Sequence, residues 1–478
     1  MVHEWATEAE RRCAPGRHAP WGALEPALPA GEHQAGSLGA RLTRRTLLSG
    51  AGMAAGAIVM ACAPGTSAGQ SKTAAHVTIT FMNRGGREAF DVHDQVVAAF
   101  MQQTPSITVT TEPVTEGSWS AKLTSLLAGG TAPDTVMCAF GDFLPFCKRG
   151  DLLVLDPFLR KDREVQPSDW YPLALESMKY KGRLFNMPYN GGTYALFYNQ
   201  EIYDQAGTKY PDESWTWEKY IEVATSLATD QSGRHANEAG FDGANVKLYG
   251  ADNIQDSPSW WYWIWTYGSD LYTKSNTEVN FNDPKVLNAI QWIADMHKKR
   301  IWPSVLVKDP APVGFRNANV AMTTWGHWQV ARVRTDAYRW DVAPMPKTKD
   351  GQRIALGWYS GNGIVSTTKY PDASWAFLKF FGGAPGQRIL GLAGLTLPAV
   401  RKVAESPEII NTKPPEHQRV FLTEIEHARI HIGWNITDVQ AWNEILNPEL
   451  GKIWRGEAKA KDVLPPLAPR LNDVLARN

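Results

Sequence analysis

The feature that most restricts the fold is the stretch 180–207, YKGRLFNMPYNGGTYALFYNQEIYDQAG. Two apolar runs rich in aromatics flank a break, Pro188-Tyr189-Asn190-Gly191-Gly192. Each run is too short for a helix, so each reads as a strand. Consecutive glycines after a proline mark backbone that must bend. The stretch is therefore expected to be a hinge between two lobes, with Tyr189 and Asn190 on a polar-aromatic edge facing the gap. A chain of 478 residues is also too long for one ordinary core.

Upstream of the hinge the pattern is strand, helix, strand, helix, strand. Segments 77–82, 107–111 and Thr135–Ala139 are apolar and largely β-branched. Helical spacing puts Val92, Val96, Val97 and Phe100 on one side of 88–103, and Trp119, Leu123, Leu126 and Leu127 on one side of 118–128. This order predicts a parallel sheet with right-handed crossovers. Ligands of such sheets sit at the carboxyl ends of the strands. Those ends offer Arg84, Glu116 and Asp142 as donors and acceptors for hydroxyl groups. The Arg84-Gly85-Gly86 turn lacks the GxxxxGK[ST] spacing of a nucleotide-binding loop.

Downstream, tryptophan becomes the informative residue. The chain holds 20, several of them clustered. An indole face suits the C–H side of a pyranose, whose hydroxyls then need hydrogen bonds around the rim. Ser259-Trp260-Trp261-Tyr262-Trp263-Ile264-Trp265 overfills any single helix face, so some of these rings are expected to face a cleft. Trp261 and Trp263 are the candidates there. Trp325 and Trp328, at the end of an apolar strand, form a second pair. Trp358, Tyr359 and Asn362 lie on a strand interrupted by glycines, and Trp434 on an irregular segment between helices. His327 reads as a surface or supporting residue, because no metal partner accompanies it at ligand spacing. The loop DQSGRHAN at 230–237 misses the EF-hand pattern, so neither a metal nor a cofactor is expected. Asp283-Pro284 opens the clearest helix of the chain, closed by Lys298, Lys299 and Arg300.

Lys+Arg 49 balances Asp+Glu 49, so there is no basic excess for the phosphates of a nucleic acid. Cys138 and Cys147 stand nine residues apart, and both a disulfide and two buried thiols fit them. The first 42 residues show no apolar period, as in a disordered leader or a start codon assigned too early. Arg44-Arg45 then precede an Ala/Gly-rich apolar stretch that is shorter than the roughly 20 residues needed to span a bilayer. A twin arginine in that setting is an export address. The stretch ends Val59-Met60-Ala61-Cys62, and a tether rich in Gly, Ser, Thr and Ala follows at 63–75.

The Lys181-Gly182-Arg183 turn, the Pro188-Tyr189 step, Tyr198-Asn199 and the Ala206-Gly207 stop together resemble the crossover of the extracellular solute-binding proteins (family 1, sugar-binding) of ABC importers. WDVAPMP at 340–346 and GLTLP at 394–398 are similar to that family's return segment and closing loop. The residues before Cys62 resemble a lipobox, which marks the lipoprotein type. The resemblance runs from about Val77 to the end. It implies an α/β, two-lobed periplasmic-binding-protein-like fold of type II. Each lobe would be a mixed, mainly parallel sheet flanked by helices, and hinge strands would join the two. The implied parts are a leader (1–62), a tether (63–75), lobe 1 (76–188 plus 346–395) and lobe 2 (189–345 plus 396–478).

In function the resemblance implies a monomer on the outer face of the cell membrane, held only by a lipid on Cys62. It would capture a sugar, in the first instance an oligosaccharide, by hinge closure and deliver it to a permease whose ATPase is a separate chain. No catalysis is implied. Two other classes fit the residues. One is an exported carbohydrate-active enzyme with Glu116 and Asp142 as its carboxylate pair. The other is a binder of a glycerophosphodiester, held by Arg84, or of a peptide.

Overall fold

The computed structural model describes residues 76–478 apart from 116–117, 140, 253–258, 275–276, 304–312, 431–438 and 478. Of the residues singled out above, Arg44, Arg45, Cys62, Glu116 and Trp434 lie outside the described residues. The chain opens with β1 (Val77–Arg84), α1 (Arg87–Gln103), β2 (Ile107–Val114), α2 (Trp119–Ala128) and β3 (Thr135–Ala139). β1 pairs in parallel with both β2 and β3, as the alternation predicts. α1 buries His93, Val96, Val97 and Phe100, the stripe its spacing prescribes.

Among the later elements are β4 (Asn186–Asn199), α3 (Ser259–Thr266), α4 (Pro284–Lys299), β5 (Met322–Gly326), β6 (Trp340–Ala343) and β7 (Ala355–Ile364). They are followed by α5 (Pro371–Gly382), α6 (Val420–Ile425), β8 (Ala428–Arg429), α7 (Val439–Trp454) and α8 (Ala460–Leu475). The main sheet runs β6-β4-β7-β3-β1-β2, with β5 also on β4 and β8 on β7. Asp283 accepts a hydrogen bond from Lys285 N at 2.8 Å at the head of α4, and Arg300, with φ 55°, ends it.

β4 corrects the expectation of two strands about a break. Its 14 residues form one continuous, fully buried strand. The Pro-Tyr-Asn-Gly-Gly segment is an irregularity against β7, where the register shifts between Ser360 and Gly361. Pro188, which has no N–H to give, sits at that irregularity. Gly191 provides clearance rather than reversal: a Cβ there would stand 3.0 Å from both Pro398 O and Ala399 Cα. The first half of β4 pairs with β7 and the second half with β5 and β6. One strand, antiparallel to all its partners, thus passes from β7, which is itself antiparallel to β3, into the region built by β5 and β6.

The two faces of β4 pack differently. Tyr194, Leu196 and Tyr198 join the main core, while Ala195 and Phe197 join a second cluster with Phe315, Trp340 and Phe421. Cys138 and Cys147 are free, buried thiols, and burial pushes both further from the thiolate.

Candidate functional site

β1 and β3 end side by side, and their ends carry the first group. Arg84, the last residue of β1, makes an ion pair with Asp142, just beyond β3. The guanidinium also lies over the Trp119 ring, 5.7 Å from its centroid. Two of the three polar candidates from the strand ends are therefore in contact, and the positive charge of one is matched by the other.

The second group is aromatic. Trp328 and Trp358 are half-buried and meet with centroids 5.9 Å apart. Tyr194 of β4 packs edge-on against Trp328 at 5.5 Å. The backbone makes room for these rings. A Cβ on Gly326 would collide with the six-membered ring of Trp328, and one on Gly192 would stand 3.5 Å from Trp328 Cε3. The position of the Trp328 ring therefore depends on two glycines, one from β5 and one from the irregular part of β4. Asn190 holds that part in shape: its Oδ1 accepts from Gly192 N at 2.7 Å.

The two groups approach each other through the turn after β1. A Cβ on Gly86 would lie 3.6 Å from Arg332 Nη2 and 3.3 Å from Glu88 Oε2. Arg332 follows Trp328 by one helical turn, so the end of β1 and the Trp328 segment are in reach of one another.

The remaining candidates lie elsewhere. Trp325 pairs with Ala195 and packs on Phe197 and Phe315 at 6.0 and 5.6 Å, on the face of β4 away from Trp328. Trp261 and Trp263 are 5% and 2% exposed. Trp263 stacks on Trp292 at 4.2 Å and meets the edge of Trp217 at 4.6 Å. The expectation that some rings of this run face a cleft is not met: all five aromatics are buried, Tyr262 and Trp263 against Trp217 and Trp263 also against Trp292. Tyr189 packs edge-on against Phe381 at 5.5 Å, and Tyr359 and Asn362 are fully buried. Of the two readings of His327, surface or supporting residue, burial rules out the first and fits the second. It is fully buried, Gln418 Nε2 donates to its Nε2 at 2.7 Å, and burial lowers its pKa to about 3.

Tyr194, Trp119, Gly326 and Arg332 were missed. Tyr194 was legible from alternation, two residues beyond Gly192. Gly326 was legible as a glycine two residues before a tryptophan. Nothing in the sequence pointed to Arg332. Among the described residues, no group of three or more His, Cys, Asp or Glu is placed to hold a metal ion, and no helix is long and apolar enough to cross a membrane.

Residues 90–388 match the family model of the bacterial extracellular solute-binding proteins. A maltotriose-binding protein of Pyrococcus abyssi is 21% identical over 349 residues, covering 70% of this chain and 66% of that one. An sn-glycerol-3-phosphate-binding periplasmic protein of Pectobacterium atrosepticum is 26% identical over 317 residues, covering 62% and 67%. Among solved structures, an ABC substrate-binding protein of Listeria monocytogenes in complex with cycloalternan superposes with a TM-score of 0.73 at 20% identity, covering 84% of this chain and 99% of that one. The fold is therefore the two-lobed, periplasmic-binding-protein-like α/β fold.

Proposed function

Because this chain belongs to the bacterial extracellular solute-binding protein family, we propose that it is the substrate-binding component of an ABC importer, and that its ligand is an uncharged saccharide longer than one ring. The observation that carries this reading is the Trp328–Trp358–Tyr194 group on its glycine seat, together with the Arg84–Asp142 pair at the end of β1, whose following turn at Gly86 lies near Arg332. Indole faces take the apolar face of a sugar ring, and paired polar groups take its hydroxyls. An arginine already bound to a carboxylate offers donors without net positive charge, which favours hydroxyls over a phosphodiester. In this reading ligand contact falls to Arg84, Asp142, Trp328 and Trp358, with Glu116 and Trp434 as further candidates. Asn190 supports them by holding the Gly192 segment, and Tyr189, Trp261, Trp263, Trp325, Tyr359 and Asn362 serve as packing residues.

The lobes are 76–188 with 346–395, and 189–345 with 396–478. Residues near Ala399 are tied to the first lobe, because Tyr171 N donates to Ala399 O at 3.0 Å. A ligand touching both lobes favours the closed state. Micromolar affinity leaves about 8 kcal/mol net after closure. The closed monomer docks on a permease whose ATPase is a separate chain, and the sugar passes on unaltered. Arg44-Arg45 address the chain for export, and Cys62 anchors it by lipid outside the membrane.

A thermal-shift screen tests the reading, because a ligand bound only by the folded state raises the melting temperature by mass action. Maltotriose or a related oligosaccharide is expected to raise it and to be recovered intact, with no shift from sn-glycerol-3-phosphate. Stabilisation by the phosphate alone, or accumulation of cleaved sugar, contradicts the reading.

A further inference from the structure

Beyond the end of β4 lies a pocket of about 340 Å³, away from the aromatic pair. Gln200, on its wall, follows the last residue of β4, whereas Trp328 rests beside Gly192, roughly 25 Å back along an extended strand. Arg334, Arg339 and Lys413 bring positive charge to the lining, and Asp336 and Glu416 bring negative charge. Most of this charge is matched locally. Arg339 Nη2 lies 2.6 Å from Asp204 Oδ2, Lys413 pairs with Glu416, and Arg316 holds Asp336 through Nε and Nη2 at 3.3 and 3.2 Å.

Arg334 is the exception. Its Nε donates to Pro414 O at 2.7 Å, which fixes the head group against the pocket wall. Its Nη2 is buried and has no hydrogen-bond partner among the described residues, and none of their carboxylates pairs with the guanidinium. Burial lowers the pKa of Arg334 with no carboxylate to raise it, whereas Asp204 raises that of Arg339. The backbone is shaped around this group: Gly394, with φ 73°, stands where any Cβ would collide with Arg334 Nη1. The positive charge also reaches inward, where it helps to keep the buried His327 neutral. An arginine stays charged at neutral pH. A partly desolvated charge without a counter-charge is costly, and an anion beside it offsets that cost.

We propose that this pocket is a binding site for one carboxylate, with Arg334 as its counter-charge. The planar fork of a guanidinium matches the two oxygens of a carboxylate. One unmatched positive charge suits a monoanion, whereas a phosphate dianion would also face Asp336 and Glu416. The volume admits a short carboxylic acid or the end of an acidic side chain, and both present the same group. The pocket shares no residue with the saccharide site proposed above, so the inference goes beyond that reading and stands without it.

The test titrates the full chain with sodium acetate and with a blocked tripeptide carrying a central glutamate, and follows the melting temperature. Sodium chloride and sodium phosphate at matched ionic strength are the controls. Acetate or the peptide is expected to raise the melting temperature where the controls do not. The affinity is expected to fall about tenfold in Arg334→Gln, as for the loss of a charge-assisted hydrogen bond, and to stay unchanged in Arg339→Gln, whose cation belongs to Asp204. A peptide that binds more tightly than acetate assigns the pocket to an acidic side chain of a partner protein, and one that binds no better assigns it to a dissolved carboxylic acid. Equal shifts from all the salts, or an acetate effect that Arg334→Gln retains, overturn the proposal. So does acetate that maltotriose displaces, since it then sits in the saccharide site. A wild-type crystal grown with acetate keeps the test independent of how the variant folds: a carboxylate against the terminal nitrogens of Arg334 supports the site, and a pocket without one overturns it.

Discussion

The helix α3 and the turn after β5 both concentrate tryptophan, but the surrounding backbone treats them differently. In α3 the rings of Trp260, Trp261, Trp263 and Trp265 are no more than 5% exposed, and Trp263 locks against Trp217 and Trp292. After β5, Trp328 is half-buried, rests over Gly326 and beside Gly192, and meets Trp358. The first region is aromatic because it fills a core. In the second, the chain has been reduced to glycine at two points so that one ring is held at a chosen place. Aromatic density alone does not separate these cases, whereas a glycine under the ring does.

Substitutions sharpen that contrast. Trp263→Ala removes a fully packed ring and is expected to cost about 3–5 kcal/mol of stability, read as a lower denaturant midpoint. Trp328→Ala is expected to weaken maltotriose binding roughly tenfold or more, about 1.4 kcal/mol, with the melting temperature nearly unchanged. If the two variants exchange these signatures, the division between core and platform is wrong. Gly326→Ala is expected to weaken binding about threefold to tenfold by displacing the Trp328 ring. Its effect should vanish in a Trp328→Ala background, since neighbours that act through one group are not additive. An equal loss in both backgrounds means that the glycine acts on the strand and not on the ring.

The buried titratable groups give a smaller effect, read from stability against pH. Burial lowers His93 and His327 to about 3 and His297 to about 4. Their neutral forms support the fold fully above about pH 6.5, and that support is lost as the pH falls towards those values. Burial raises Glu424 of α6 to about 8, with Arg353 Nη1 3.8 Å away. The contribution of this carboxyl is complete below about pH 4.5 and is lost as the pH rises towards 8. Glu424→Gln is expected to flatten the alkaline limb of the stability profile and leave the acid limb unchanged. An unchanged alkaline limb rejects the assignment.

The local signals between residues 77 and 139 are strong, and the structure follows them closely. Strand and helix residues there obey period and propensity, as Val96 and Phe100 on α1 illustrate. The hinge stretch was legible as special, but not in form. Its proline and glycines read as a break because local propensity cannot see Pro398 and Ala399, whose backbone needs the space at Gly191. The same limit governs the site. Arg84 and Asp142 were legible because strand ends of parallel sheets have a known polarity. Which tryptophans pack inward depends on partners such as Trp292, far away in sequence, so α3 looked open when it is closed.

In the proposed binding mode an uncharged saccharide is gripped between the Trp328–Trp358 pair and the Arg84–Asp142 pair. A crystal structure of the protein grown with maltotriose decides this, and is expected to show a sugar ring stacked on Trp328 with its hydroxyls bonded to Arg84 and Asp142. Maltotriose bound away from both pairs, or a gap between them left empty while calorimetry records binding, would contradict it.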